Sequence, residues 1–222
     1  SATVTATITY DINSGNDDGI AVYVNGQSET AAQASTKEED GKKVTTITVD
    51  DDKIKAKLES EGNNSTVTIL FDETPDTLIS QLNGQTIKNM EDKEAVLEIK
   101  TSNIVYTIPA SQINIDDVAS KLEDVSKLSD IEVSVNIKNP PDDTVKIVQN
   151  TADINNYSIV IEPIQFSITC TSKSGEVEVT KFNSYVERLI AIPEGVDPYK
   201  ITTGIVLNED GSFTHVPTQI VI

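Results

Sequence analysis

The sequence predicts an α+β N-terminal domain followed by an all-β, sandwich-like C-terminal domain. Three observations carry that expectation. Short helical patterns interrupt alternating strands as far as residue 123. Asn139-Pro140-Pro141-Asp142-Asp143 then punctuates the chain, because prolines remove backbone donors and resist helix interiors and inner strands. Beyond it nearly every segment reads as strand. The expected division is 1–140 for the α+β domain, with a possible strand–helix–strand repeat, and 144–222 for the all-β domain.

Taken in order, TVTATIT at 3–9 alternates Thr with apolar residues at the strand period. IAVYV at 20–24 reads as its hairpin partner across DINSGNDDG. Residues 25–43 lack periodicity and read as a long exposed loop. VTTITV at 44–49 is a strand, and Asp50 to Asp52 are placed to cap a helix with Ile54 and Leu58 on one face. Gly62 stops that helix and TVTILF at 66–71 is the next strand. Thr74-Pro75 predicts a second helix with Ile79 and Leu82 on its apolar side, ended by Asn83-Gly84. Residues 95–109 supply two strands. DKIKAKLE at 52–59 and DDVASKLE at 116–123 match in part, as a duplicated unit or as two ordinary amphipathic helices. After the prolines, YSIVIEPIQFSITC, GEVEVTKF, VERLIAIP, ITTGIVL and SFTHVPTQIVI read as strands, with a helix possible only around SYVERL. The last two flank Asp210-Gly211, a hairpin signal because that pair supplies left-handed turn geometry.

Composition bounds the function. Hydrophobic residues are 37% of the chain, aromatics 5%, and tryptophan is absent, so the core is built from Ile, Val and Leu. Seventeen Lys+Arg against 36 Asp+Glu give a formal charge of −19. Such a surface repels nucleic acid and anionic lipid and suits a secreted, salt-tolerant or cation-collecting protein. No apolar run is long enough for a membrane span, so no membrane insertion is expected. The chain opens Ser1-Ala2 without Met or a signal peptide and reads as a piece of something longer.

Candidate chemistry is sparse. His215 is the single histidine, set in NEDGSFTHVPT, either an active-site remnant or a hairpin residue. Cys170 stands alone after an apolar alternation and reads as a buried structural thiol. One His and one Cys without spaced partners do not make a zinc site. Calcium is possible at DINSGNDDG, where Asp11, Asn13, Asp17 and Asp18 offer hard oxygen ligands, though Val22 stands where an EF-hand needs its closing glutamate. The alternative is a polar hairpin loop. No local motif selects a carboxylate pair for glycoside hydrolysis, and the missing tryptophan removes the usual sugar platform. Tyr185 and Arg188 in YVER could pair with acids or lie on a strand surface, with an ordinary salt bridge as the default for the arginine.

FNSYVERLIAIPEGVDPYKITTGIVLNEDGSFTHVPTQIVI, residues 182–222, resembles the region upstream of the S-layer homology modules in secreted cell-surface proteins of Gram-positive, clostridial-type bacteria. LNGQTIKNMEDKEAVLEI (82–99) and YTIPASQINID (106–116) extend the resemblance to about residues 45–222. The wall-binding modules themselves are absent, so their binding residues are not carried over. The family continues past the VPT hairpin with another strand, whereas this chain stops at Ile222, which would leave an exposed edge. The resemblance implies an extracellular, non-enzymatic spacer, scaffold or assembly unit on the cell wall. Its partners would be cell-envelope components or neighbouring copies, with no nucleic acid and no required cofactor. The alternative is an adhesin or carbohydrate-binding module, calcium-dependent if the 11–19 loop binds metal.

Overall fold

The computed structural model describes residues 20–29, 31–123, 125–208 and 210–221. The predicted strand at 3–9 and the DINSGNDDG loop lie outside them. The described residues form two compact units, one within residues 20–137 and 166–190, the other within residues 138–165 and 191–221.

The larger unit holds β1 (Ile20–Val24), β2 (Gln27–Glu29), β3 (Ala32–Glu39), β4 (Lys42–Val49), α1 (Asp51–Glu61), β5 (Thr66–Phe71), β6 (Thr77–Asn83), α2 (Gly84–Asp92), β7 (Val96–Lys100), β8 (Ile104–Pro109), α3 (Ile115–Lys121) and β9 (Glu132–Lys138). After an excursion it regains β10 (Gln165–Ser172), β11 (Gly175–Glu178) and β12 (Glu187–Ile190). These strands make two mixed six-stranded sheets, ordered β12-β8-β7-β5-β1-β2 and β11-β10-β9-β6-β4-β3.

The expected α+β domain followed by a separate all-β domain is therefore wrong. β10, β11 and β12 belong to the same two sheets as the N-terminal strands. The segment opening the supposed all-β region is a helix, α4 (Asp142–Ile154). Pro140-Pro141 marks its start rather than only a break. Asp142 and Asp143 sit in its first turn against the positive end of the dipole, and Val148 and Ala152 are buried four apart.

Local misreadings have equally local reasons. Residues 77–83 are a strand, not a helix: Leu78, Ser80 and Leu82 are buried while Ile79 and Gln81 alternate outward. Asn83 starts the following helix, its Oδ1 accepting from the Thr86 N–H at 2.8 Å. The expected loop at 25–43 contains β2 and β3, joined to their neighbours through Asn25-Gly26 and Asp40-Gly41. All four turn residues have positive φ, as the tight hairpin turns require. β3 escaped notice because it is a sheet edge, so its residues need no apolar alternation.

A repeat does organise the sheets, though with different partners from those the sequence match indicates. β4–α1–β5 and β6–α2–β7 each run from one sheet to the other. Within the sheets β4 pairs with β6, and β5 with β7, both in parallel. The register that sets Thr48 opposite Gln81 matches Asp50 with Asn83, Ile54 with Ile87 and Lys55 with Lys88 at the same spacing. Asp50 and Asn83 are the helix N-caps, and Ile54 and Ile87 are fully buried. α3 instead connects β8 to β9, in the opposite sense between the sheets.

Alternation puts Val22, Val24, Val67, Ile69, Leu97, Ile99, Tyr106 and Ile108 on one buried face of the first sheet. Ile47, Leu78, Val133, Val135 and Ile168 line the buried face of the second. Tyr106 meets Phe166 edge-on at 5.0 Å, joining β8 of one sheet to β10 of the other. Ala21, Tyr23 and Leu70 form a separate buried cluster on the opposite face of the first sheet.

Ser80 is the exception in this core. Its Oγ is buried beside Ile47 with no hydrogen-bond partner among the described residues. A buried hydroxyl left unpaired costs about 1–3 kcal/mol. Ser80→Ala is expected to raise stability by about 1 kcal/mol in urea denaturation; a loss of stability would show that the hydroxyl is satisfied in solution.

The smaller unit is built on α4 and a two-stranded sheet of β13 (Gly204–Leu207) and β14 (Phe213–Val216). The predicted Asp210-Gly211 hairpin is this pair, with Gly211 at φ 81° and its N–H bonded to the Asn208 carbonyl at 2.9 Å. Thr151 donates to the Gly211 carbonyl at 3.2 Å, tying helix to hairpin.

Candidate functional site

The chain's scarce reactive groups are distributed rather than gathered. Asp11, Asn13, Asp17 and Asp18, the candidate calcium ligands, fall outside the described residues. Among the described residues no group of three or more His, Cys, Asp or Glu side chains is arranged to hold a metal ion.

His215 stands on β14 of the smaller unit with both ring nitrogens engaged. Nε2 lies 3.1 Å from the Tyr157 hydroxyl and Nδ1 lies 3.2 Å from Thr203 Oγ1. Thr203 donates to the Gly204 carbonyl at 2.9 Å, so its oxygen accepts from the Nδ1–H. Nε2 is then the acceptor for the Tyr157 O–H. Tyr157 follows the end of α4, and its ring packs edge-on to the imidazole at 5.9 Å and tilted against Phe213 at 6.4 Å. The arrangement fastens a helix end to a hairpin. Among the described residues it presents no serine or cysteine nucleophile to the imidazole. Sequence reasoning missed Tyr157 and Thr203, which no local spacing links to His215.

Cys170 lies on β10, fully buried, and burial pushes its thiol up to about 12 from an ordinary 9.0. The thiolate is the reactive form. The folded chain should therefore resist iodoacetamide at pH 8 and react once unfolded in urea; rapid labelling of native protein would contradict this placement. The same shift makes a pH prediction. A thiol whose pKa is raised by folding favours the native state below pH 9, and that contribution is lost as pH rises towards about 12.

Arg188, the single arginine, lies on a strand and, among the described residues, shows no salt bridge. On β12 it pairs in register with Tyr106, and its guanidinium lies 5.0 Å from the Tyr106 ring centre and 5.1 Å from that of Phe166. It donates to the Val186 carbonyl at 3.2 Å. This is a cation–π clasp holding a four-residue edge strand to the sheet. Tyr185 beside it is 84% exposed.

The charged clusters are likewise cross-ties. Lys88 on α2 reaches Asp116 of α3 at 2.8 Å and Glu91 and Asp92 of its own helix at 3.4 Å each, contacts that raise its pKa, the Asp116 hydrogen bond foremost. Lys57 bridges Glu29 at 3.0 Å and Glu61 at 3.3 Å and is raised chiefly by its hydrogen bond to Glu29. Asp50, Glu61 and Asp210 are held below the ordinary carboxylate range, first by the Lys53 backbone N–H, the Asn25 amide and the Ser212 hydroxyl respectively. A glycosidase acid needs the opposite shift. A shallow recess of about 150 Å³ lies between α1 and α2, lined by Lys55, Leu58, Glu59, Asn89, Asp92 and Lys93. That is small beside the roughly 300–1,000 Å³ of ligand pockets.

No family model, curated protein or solved structure matches this chain. No helix among the described residues is long and apolar enough to cross a membrane.

Proposed function

We propose that this chain is a non-enzymatic structural module of a bacterial cell-surface protein associated with the S-layer, working outside the cell as spacer or assembly unit beside wall-anchoring domains. The observation that carries the reading is the employment of the reactive groups. The histidine fastens helix to hairpin, the thiol is buried, and the arginine clasps an edge strand. Two mixed sheets with an aliphatic core suit a stiff spacer, and the formal −19 suits a surface bathed in extracellular ions. The resemblance of residues 182–222 to the segment upstream of S-layer homology modules supplies the cellular setting.

The test combines turnover and ligand binding. The chain is assayed against glycoside, ester and peptide substrates, and its melting is followed with soluble wall glycans, calcium, magnesium and EDTA at fixed ionic strength. The spacer reading expects no turnover and no ligand-specific shift. A ligand of the folded state at a hundredfold excess over Kd stabilises by about 2.7 kcal/mol. A calcium-specific rise abolished by Asp17→Asn and Asp18→Asn would replace the spacer with a calcium-dependent binding module. Turnover would overturn the non-enzymatic reading.

A further inference from the structure

α4 presents two opposite sides. Val148 and Ala152 are buried, while Ile147 is 46% and Ile154 80% exposed. At 3.6 residues per turn, Asp143, Ile147, Asn150 and Ile154 fall on one line along the helix. Two isoleucines one heptad apart with an asparagine between them form a seam of the kind that helices pack against. Lys146 and Asp153 lie together on one flank of that seam.

We propose that this seam is the contact with a second copy of the chain, in which two α4 helices pair antiparallel about a two-fold axis. The geometry is self-complementary. With the axis beside Asn150, Ile147 of each copy meets Ile154 of the other, twice over. The two Asn150 amides face each other across the axis, where each can donate and accept. A two-fold perpendicular to both helices keeps the charged flank on one side, so Lys146 of each copy stands against Asp153 of the other. Among the described residues of one copy these groups make exposed contacts, Lys146 to Asp143 at 3.0 Å and Gln149 to Asp153 at 2.8 Å, and both can take a further partner. An isologous contact repeats every favourable pair, which is why one short seam can be specific. One helix pair buries less than a standard interface of about 1,200–2,000 Å², so the association is weak and gains strength when several copies are tethered together. The inference names the partner for the assembly reading above and rests on it for its purpose, not for its geometry.

The experiment is sedimentation equilibrium of the whole chain at physiological ionic strength, where the net charge is screened beyond about 8 Å. Wild type is expected to show a monomer–dimer equilibrium that Ile154→Asp abolishes. Lys146→Glu and Asp153→Lys are each expected to weaken it about tenfold, because each reversal acts at two symmetric pairs. Lys146→Asp combined with Asp153→Lys restores it. All three positions are exposed, so unchanged melting temperatures verify that the variants fold. A chain that stays monomeric overturns the proposal and assigns the seam to a different partner, while the spacer reading is decided separately by the turnover and ligand panel. A dimer indifferent to Ile154→Asp, or one the charge swap fails to restore, overturns it as well.

Discussion

Gly84→Ala is expected to lower the melting temperature by about 10 °C, corresponding to about 3 kcal/mol in a chain of this size. Gly84 is the first residue of α2, and its N–H donates to the Ile131 carbonyl at 2.8 Å. A β-carbon there would stand 2.6 Å from the Leu128 carbonyl oxygen and 3.2 Å from both Ile115 and Ile131 side-chain atoms. The nearest obstacle is backbone, which cannot swing aside as a side-chain tip can. The position needs glycine for space, since its φ is not in the left-handed region. Gly175→Ala is the control: its β-carbon would meet only Leu122 at 3.9 Å, so melting should move by no more than about 2 °C. Equal effects of the two substitutions would refute the crowding at α2.

Ile54→Ala and Ile87→Ala are expected to destabilise by similar amounts, about 3–4 kcal/mol each, in urea denaturation. The two residues hold equivalent places in the β4–α1–β5 and β6–α2–β7 units, four positions after the N-caps Asp50 and Asn83. Both are wholly excluded from solvent, so truncation leaves a cavity in packing that relaxes only in part. Ile147→Ala, with its side chain half exposed, should cost under about 1 kcal/mol. A large difference between the first two would mean that the repeat is geometric without being energetic.

What the sequence made legible follows from how each element is stabilised. β4, β7 and β8 declared themselves because their alternation is dictated by one buried face, and β5 through a largely apolar run buried on both faces. α1 was legible through Asp50, whose cap geometry is local. β6 was misread because Thr74-Pro75 imitates a helix start and Ile79 and Leu82 are three apart, a spacing that also fits one helical face. The deciding fact, that β6 lies between β4 and β9, is tertiary. α4 was missed because its exposed Ile147 and Ile154 blur the amphipathic pattern. The site residues show the same divide. The burial of Cys170 followed from its apolar neighbours. The partners of His215 and Arg188 come from segments that only the fold brings near, and the Asp11 to Asp18 loop remains a reading of the sequence alone.

The return of the chain to the larger unit at residue 166 has a consequence during synthesis. β9 and β10 are neighbours in one sheet, but the ribosome makes all of 139–164 between them. Until β10 emerges, β9 waits with one side of its backbone unpaired, and Ile168 and Cys170 are missing from the core. β12 completes the other sheet later still, at Ile190. The larger unit therefore cannot close until the chain has been made through β12, well past β9. A growing chain in that interval carries a row of open hydrogen-bonding groups, free to pair with a neighbouring chain until β10 and β12 arrive.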